Sequence, residues 1–185
     1  MAYRPYDRIW RAGDAASGLV SLDTLKAHLR VTSDDENEII TSYGDAAVLH
    51  VEAHTQRLLS QRSCTLSLPN LPVGKRPIEL PGGDVASLTS VFADGVEITG
   101  GTVIGSSPAL LIPSDDWPAV TGDGYPVTIT YIAGLAVVPA GLKHAVLLIA
   151  GELYERRSEG VDGPIGRAMV SAEYLMAPHR IRPAT

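Results

Sequence analysis

The chain has 185 residues, 45% of them hydrophobic, with a mean hydropathy of +0.10, which excludes a disordered protein and leaves room for one domain with a real core, with or without extended arms. A net charge of -6 and a pI near 5.3 exclude a global basic field that would drive sequence-independent binding to nucleic acid. One cysteine, Cys64, excludes an internal disulfide and a thiolate metal site, and no stretch approaches the roughly 18 apolar residues of a membrane span. No signal-peptide pattern follows the first arginines, so the expectation is a soluble protein kept in the cytoplasm until it assembles into something.

Residues 1–20 carry Tyr3, Tyr6 and Trp10 among Arg4, Arg8 and Arg11, with Gly13 and Gly18 and no sustained period. They read as an N-terminal arm, either a loosely held terminus or a segment whose aromatics dock on a neighbouring subunit. Ser21 is a good N-cap for a helix over 21–30, on which Leu22, Leu25 and Leu29 share a face. A second cap follows at Ser33, where Ser33-Asp-Asp-Glu36 has the form of a capping box. The spacing then predicts a long helix over 34–59, with Ile39, Ile40, Tyr43, Ala47, Val51, His54 and Leu58 as its apolar stripe. Gly44 weakens that helix by about 1 kcal/mol relative to alanine, so a small residue there points to close packing, or else to a break into two helices.

From Gln61 the texture changes. Residues 63–138 hold only nine formally charged side chains, which leaves Gly, Pro, Thr and Val to dominate, and this predicts a small, mostly antiparallel β-unit over 63–134 inserted between helices. Strands are expected at 64–68, 78–80, 87–93, 96–98, 110–112 and 127–133. Asp94-Gly95 supplies the positive φ angles of a two-residue hairpin turn. Residues 108–126, with Asp115-Asp-Trp117, read as a long exposed loop. The strand 127–133 turns at Gly134, and Pro139 opens a third helix over 139–157 whose apolar residues, Leu142, Ala145, Val146, Leu147, Leu148, Ile149 and Leu153, are too many for one face. Past Arg157, residues 158–185 read as a breaker-rich linker and a C-terminal arm with its own apolar and basic residues.

Candidate chemistry is sparse. His50 and His54 lie four apart on the second helix, as zinc ligands do, but Glu52 sits about 200° around the helix from His50 and no third ligand is evident. Asp115 and Asp116 form either an acid–base pair or a solvated turn. Cys64 lies in an apolar strand without a histidine nearby in sequence. Gly100-Gly101 and Gly105 lack the spacing of a phosphate loop. Arg156, Arg157, Arg167, Arg180 and Arg182 make the C-terminal part basic, either as a solvated helix end and tail or as an arm seated on an acidic partner. No catalytic residue, cofactor or metal is expected.

Taken in order, Leu22 to Val31, Asp34-Asp-Glu36, Ala47 through Val51-Glu52 to Thr55-Gln-Arg57, Pro77 to Pro81, Leu88 to Val91, Val127 to Gly134 with Pro139, Leu142 and Ala145, Tyr154-Glu-Arg-Arg157 and Tyr174-Leu-Met-Ala-Pro-His-Arg180 resemble the head-tail connector (adaptor) proteins of long-tailed phages and gene transfer agents. The match covers about residues 20–182. Gln56 stands where a glycine is common, and His179 where an aromatic is usual. The resemblance implies an α+β fold, mainly a helical bundle with an inserted small antiparallel β-unit and an extended C-terminal arm. It implies a homo-oligomeric ring of twelve copies beneath the portal protein, continuing the DNA channel without sequence-specific DNA binding and offering a platform to a tail-side stopper or terminator protein. Location in a phage-like particle and a non-enzymatic, structural role follow. The arm would reach the portal, with Tyr174, Leu175, Met176, Arg180 and Arg182 as the partner-binding residues. Two alternatives stand beside it: a stopper or tail-terminator ring component, and a zinc-dependent hydrolase using His50 and His54.

Overall fold

A computed structural model describes residues 5, 7–14, 18–105, 107–156 and 167–182. The fold is α+β, as the sequence predicts. Among the described residues, eight strands form two sheets beside four α-helices. The chain divides into two compact units: residues 1–14, 56–136 and 181–185, and residues 15–55 and 137–180.

The first unit is built on a five-stranded sheet in the order β1-β2-β8-β4-β5 and a three-stranded sheet in the order β3-β7-β6. The strands are β1 (Ile9–Ala12), β2 (Arg62–Leu68), β3 (Ile78–Leu80), β4 (Val85–Ala93), β5 (Val96–Glu97), β6 (Thr102–Ile104), β7 (Ala109–Ile112) and β8 (Val127–Ala133). Neighbouring strands pair antiparallel throughout. Alternation does the sorting. Cys64, Leu66 and Leu68 on β2 and Val127, Ile129, Tyr131 and Ala133 on β8 turn inward, and they share one apolar cluster with Ile78, Leu80, Ala109 and Leu111 of the smaller sheet.

Several expectations shift here. Residues 9–12 are not a loose arm: they pair with β2, and Trp10 Nε1 donates to the Tyr131 hydroxyl at 2.9 Å. That hydroxyl donates in turn to the Pro81 carbonyl at 2.9 Å, so the buried phenol is fully satisfied, and burial pushes its pKa well above the usual tyrosine value. The 108–126 stretch is not all exposed loop either. It begins in β7, and Trp117 is buried with its indole N–H donating to the Arg76 carbonyl at 2.9 Å. Tyr3, Tyr6 and the 158–164 linker lie outside the described residues.

The second unit contains α1 (Leu22–Leu29), α2 (Asn37–Thr55), α3 (Ala140–Glu155) and α4 (Arg167–Met176). Ser21 caps α1, accepting from the Thr24 amide at 3.3 Å. The capping box at Ser33 does not form. Asp34 is drawn to Lys26 Nζ at 2.6 Å, which holds its carboxyl below the usual carboxylate range, and Glu36 accepts from the Tyr154 hydroxyl at 2.5 Å. The Ser33 hydroxyl accepts instead from the Asp35 amide at 3.2 Å, one residue short of the box, and α2 starts at Asn37. It runs unbroken past Gly44, where a Cβ would stand 2.7 Å from Leu25 Cδ1, so the glycine admits α1. Helix α2 ends at Thr55, and Gln56 follows at φ 57, the left-handed conformation that glycine adopts more easily.

Helix α3 packs against α1, α2 and α4. Contact with three helices accounts for part of its apolar excess: Leu142, Ala145, Val146 and Ile149 are buried, whereas Leu147 and Leu148 are half-buried and Leu153 is exposed. Part of that cover comes from a segment expected as an extended arm. Residues 167–176 are helical, with Ala172 and Met176 fully buried. No helix among the described residues is long and apolar enough to cross a membrane.

Candidate functional site

The five residues expected to meet a partner sit on α4 and just beyond it. Helix α4 presents one face inward through Ala172 and Met176 and the opposite face outward through Val170 and Tyr174, which are 43% and 77% exposed. Leu175 is half-buried between them. Pro178 then ends the helix in a 3-10 turn, Ala177–His179, closed by the Arg180 amide on the Ala177 carbonyl at 3.4 Å. His179 lies over the start of α3, its Nε2 4.0 Å from where a Cβ on Gly141 would be. Arg180 continues in extended conformation with its side chain exposed. Ile181 is half-buried, with Cδ1 3.1 Å from a Cβ built on Gly83, and Arg182 is exposed. The structure thus separates the five. Met176 is core, Leu175 borders it, and Tyr174, Arg180 and Arg182 offer themselves to solvent.

The candidate catalytic groups do not converge. His50 is exposed and His54 half-buried on α2, whereas Glu52 is 7% exposed on the buried side of that helix. Among the described residues, no group of three or more His, Cys, Asp or Glu side chains is placed to hold a metal ion. Cys64 is buried opposite Tyr131 in the sheet, and Asp115 and Asp116 are exposed in a turn.

One surface escaped the sequence reading. Ile39, Ser42, Ala46, Leu49 and Ala53 are all exposed on α2, Ile39 by 40% and Leu49 by 56%. They recur at alternating intervals of three and four, and none is charged. The spacing is visible in the sequence, but α2 carries a second stripe, Ile40, Gly44, Ala47, Val48 and Val51, which is buried. In the sequence Ile39 reads as part of that inner stripe, and the structure turns it outward.

A second polar anchor lies in the first unit. Asp94, at the tip of the β4–β5 hairpin, accepts from the Thr121 amide at 2.9 Å, the Thr121 hydroxyl at 3.3 Å and the Gly122 amide at 3.0 Å. These bonds, the one from the Thr121 amide foremost, lower its pKa from the ordinary carboxylate value.

No protein-family model and no curated protein matches the chain. Solved structures do. Over 96% of its length the chain superposes on 97% of a chain from the neck of an empty GTA particle computed with C6 symmetry, with a TM-score of 0.79 and 22% identity. A chain from the virion of a native gene transfer agent (GTA) particle matches over the same shares with a TM-score of 0.73 and 20% identity. A chain from the neck of a native GTA particle computed with C12 symmetry matches over the same shares with a TM-score of 0.70 and 22% identity. The likeness agrees with the resemblance that the sequence carries to the connectors of gene transfer agents, and it is a likeness of fold along nearly the whole chain.

Proposed function

We propose that this protein is a structural neck component of a phage-like particle, a head-tail connector of the adaptor type that assembles as a ring of twelve copies between the portal and the tail-side proteins and continues the DNA channel. The observation that carries the reading is the match of fold over 96% of the chain to chains of GTA necks and virions. Computation of two of those necks with C6 and C12 symmetry supports a cyclic oligomer here. The scattering of Glu52, Cys64, Asp115 and Asp116 over a buried helix face, a sheet interior and an exposed turn supports a role without catalysis. Attachment to the portal falls to the C-terminal segment, where Arg180 and Arg182 stand exposed.

Electron microscopy of the purified protein mixed with its portal tests this. An additional ring of density coaxial with the portal is expected. A ring found one layer further down would make the protein a stopper, and a monomer that never joins the portal would remove the reading altogether. Metal analysis of protein purified without chelator tests the hydrolase alternative, which requires stoichiometric zinc on His50 and His54.

A further inference from the structure

Resting on the ring reading, we infer that the outer face of α2 in one copy receives the outer ridge of α4 from the next copy. Both faces belong to the same helical unit. Helix α3 packs on α2 and on α4, which themselves meet only marginally, so α2 and α4 flank it. Each flanking helix buries one side and exposes the other. On α2, the exposed strip lies roughly 190° around the helix from the buried one, at about 100° per residue. On α4, Val170 and Tyr174 are likewise turned away from Ala172 and Met176.

The two exposed faces differ in shape in the way that a head-to-tail contact requires. The α2 strip runs about 21 Å from Ile39 to Ala53 at 1.5 Å per residue. Its three–four spacing is that of a helix-packing seam, with Ser42, Ala46 and Ala53 leaving hollows around Leu49. The α4 face is a ridge of two large side chains one turn apart, Val170 and Tyr174, that fits such hollows. Charge at the margins agrees. The N-terminal end of α2 exposes Asp35 and Glu38, and α4 leads into the exposed Arg180, so an antiparallel docking of the two helices brings opposite signs together. Unlike faces on two helices of one unit generate a closed ring when the rotation permits, which self-complementary faces do not. Tyr174 becomes a contact between neighbouring copies instead of a portal contact, and Arg180 sits at the rim of that contact.

Mixing complementary variants tests the inference. Leu49→Asp spoils one face and Tyr174→Asp the other, and both side chains are exposed, so circular dichroism is expected to match the wild type. In the presence of portal, neither variant alone forms the ring that the wild type forms. Mixed at equal concentrations without portal, they give a one-to-one heterodimer by light scattering, because each supplies the face the other has lost. Variants that assemble like the wild type, or a mixture that stays monomeric while the wild type builds rings, would overturn the inference and leave the connector reading standing. A wild type that builds no ring with portal would overturn the connector reading and this inference with it.

Discussion

Gly134 closes the central strand in a conformation that no other residue can take at that place. Its φ is +127°, and a Cβ there would lie 2.1 Å from the Ser60 carbonyl oxygen, a backbone atom that cannot move aside without shifting the chain. Gly134→Ala is therefore expected to destabilise the β unit by about 3 kcal/mol or more. The urea midpoint should fall with little change in slope. That a turn occurs here was legible from the glycine itself; that it is crowded by Ser60 was not, because the crowding comes from a segment distant in sequence. Asp94 gives a second residue-scale outcome. Folding depresses its pKa, so its contribution is present above the unfolded value and lost as pH falls through the folded one. The amide signals of Thr121 and Gly122 should move together as pH is lowered below 3.8, the ordinary carboxylate value, and stay flat in Asp94→Asn.

Helix α4 shows what can and cannot be read at the scale of an element. Its apolar residues are plain in the sequence, and so is the proline that ends it, yet the segment reads as an arm because its partner surface on α3 is assembled only in the fold. Met176→Ala should cost about 2–5 kcal/mol, the range for emptying a core position, whereas Tyr174→Ala should change stability by less than about 0.5 kcal/mol. Thermal unfolding followed by circular dichroism at 222 nm separates the two. Strong local signals fared well elsewhere. The Asp94-Gly95 turn has both φ angles positive, at 50° and 77°, and joins β4 to β5. Strand β1 is not anticipated because its partner lies far along the chain, Ile9 pairing with Ser67, and β6 because Gly100-Gly101 and Gly105 bracket only three residues, which pair with β7 across a short connection, Val103 with Leu111. The start of α2 differs from the expected one because the Ser33 hydroxyl takes the Asp35 amide and Glu36 takes the Tyr154 hydroxyl, so neither half of the capping box closes.

At the scale of the molecule, the α+β class and the connector likeness were legible, since both rest on the order of strongly patterned segments. The sequence expects a β-unit over 63–134 inserted between helices; that the first unit also takes in residues 9–12 was not legible. Each unit takes pieces from separate stretches of chain, and the helical unit leaves two unlike faces uncovered. Uncovered apolar faces of that kind are the physical basis of the mixing experiment.

The strand order β1-β2-β8-β4-β5 has a consequence for how the protein is made. The strand at the centre of the larger sheet, β8, is the last of the eight to leave the ribosome. Until it emerges, β2 and β4 have nothing between them, and Leu66 and Val91 lack the Ile129 that both face across the ladder. The nascent sheet is thus a set of waiting edges, closed in a single late step by the segment that also leads into α3. Slow, non-local pairing of this sort exposes strand edges for longest just before completion. A chain stopped short of residue 127 would accordingly be the most aggregation-prone length during its synthesis.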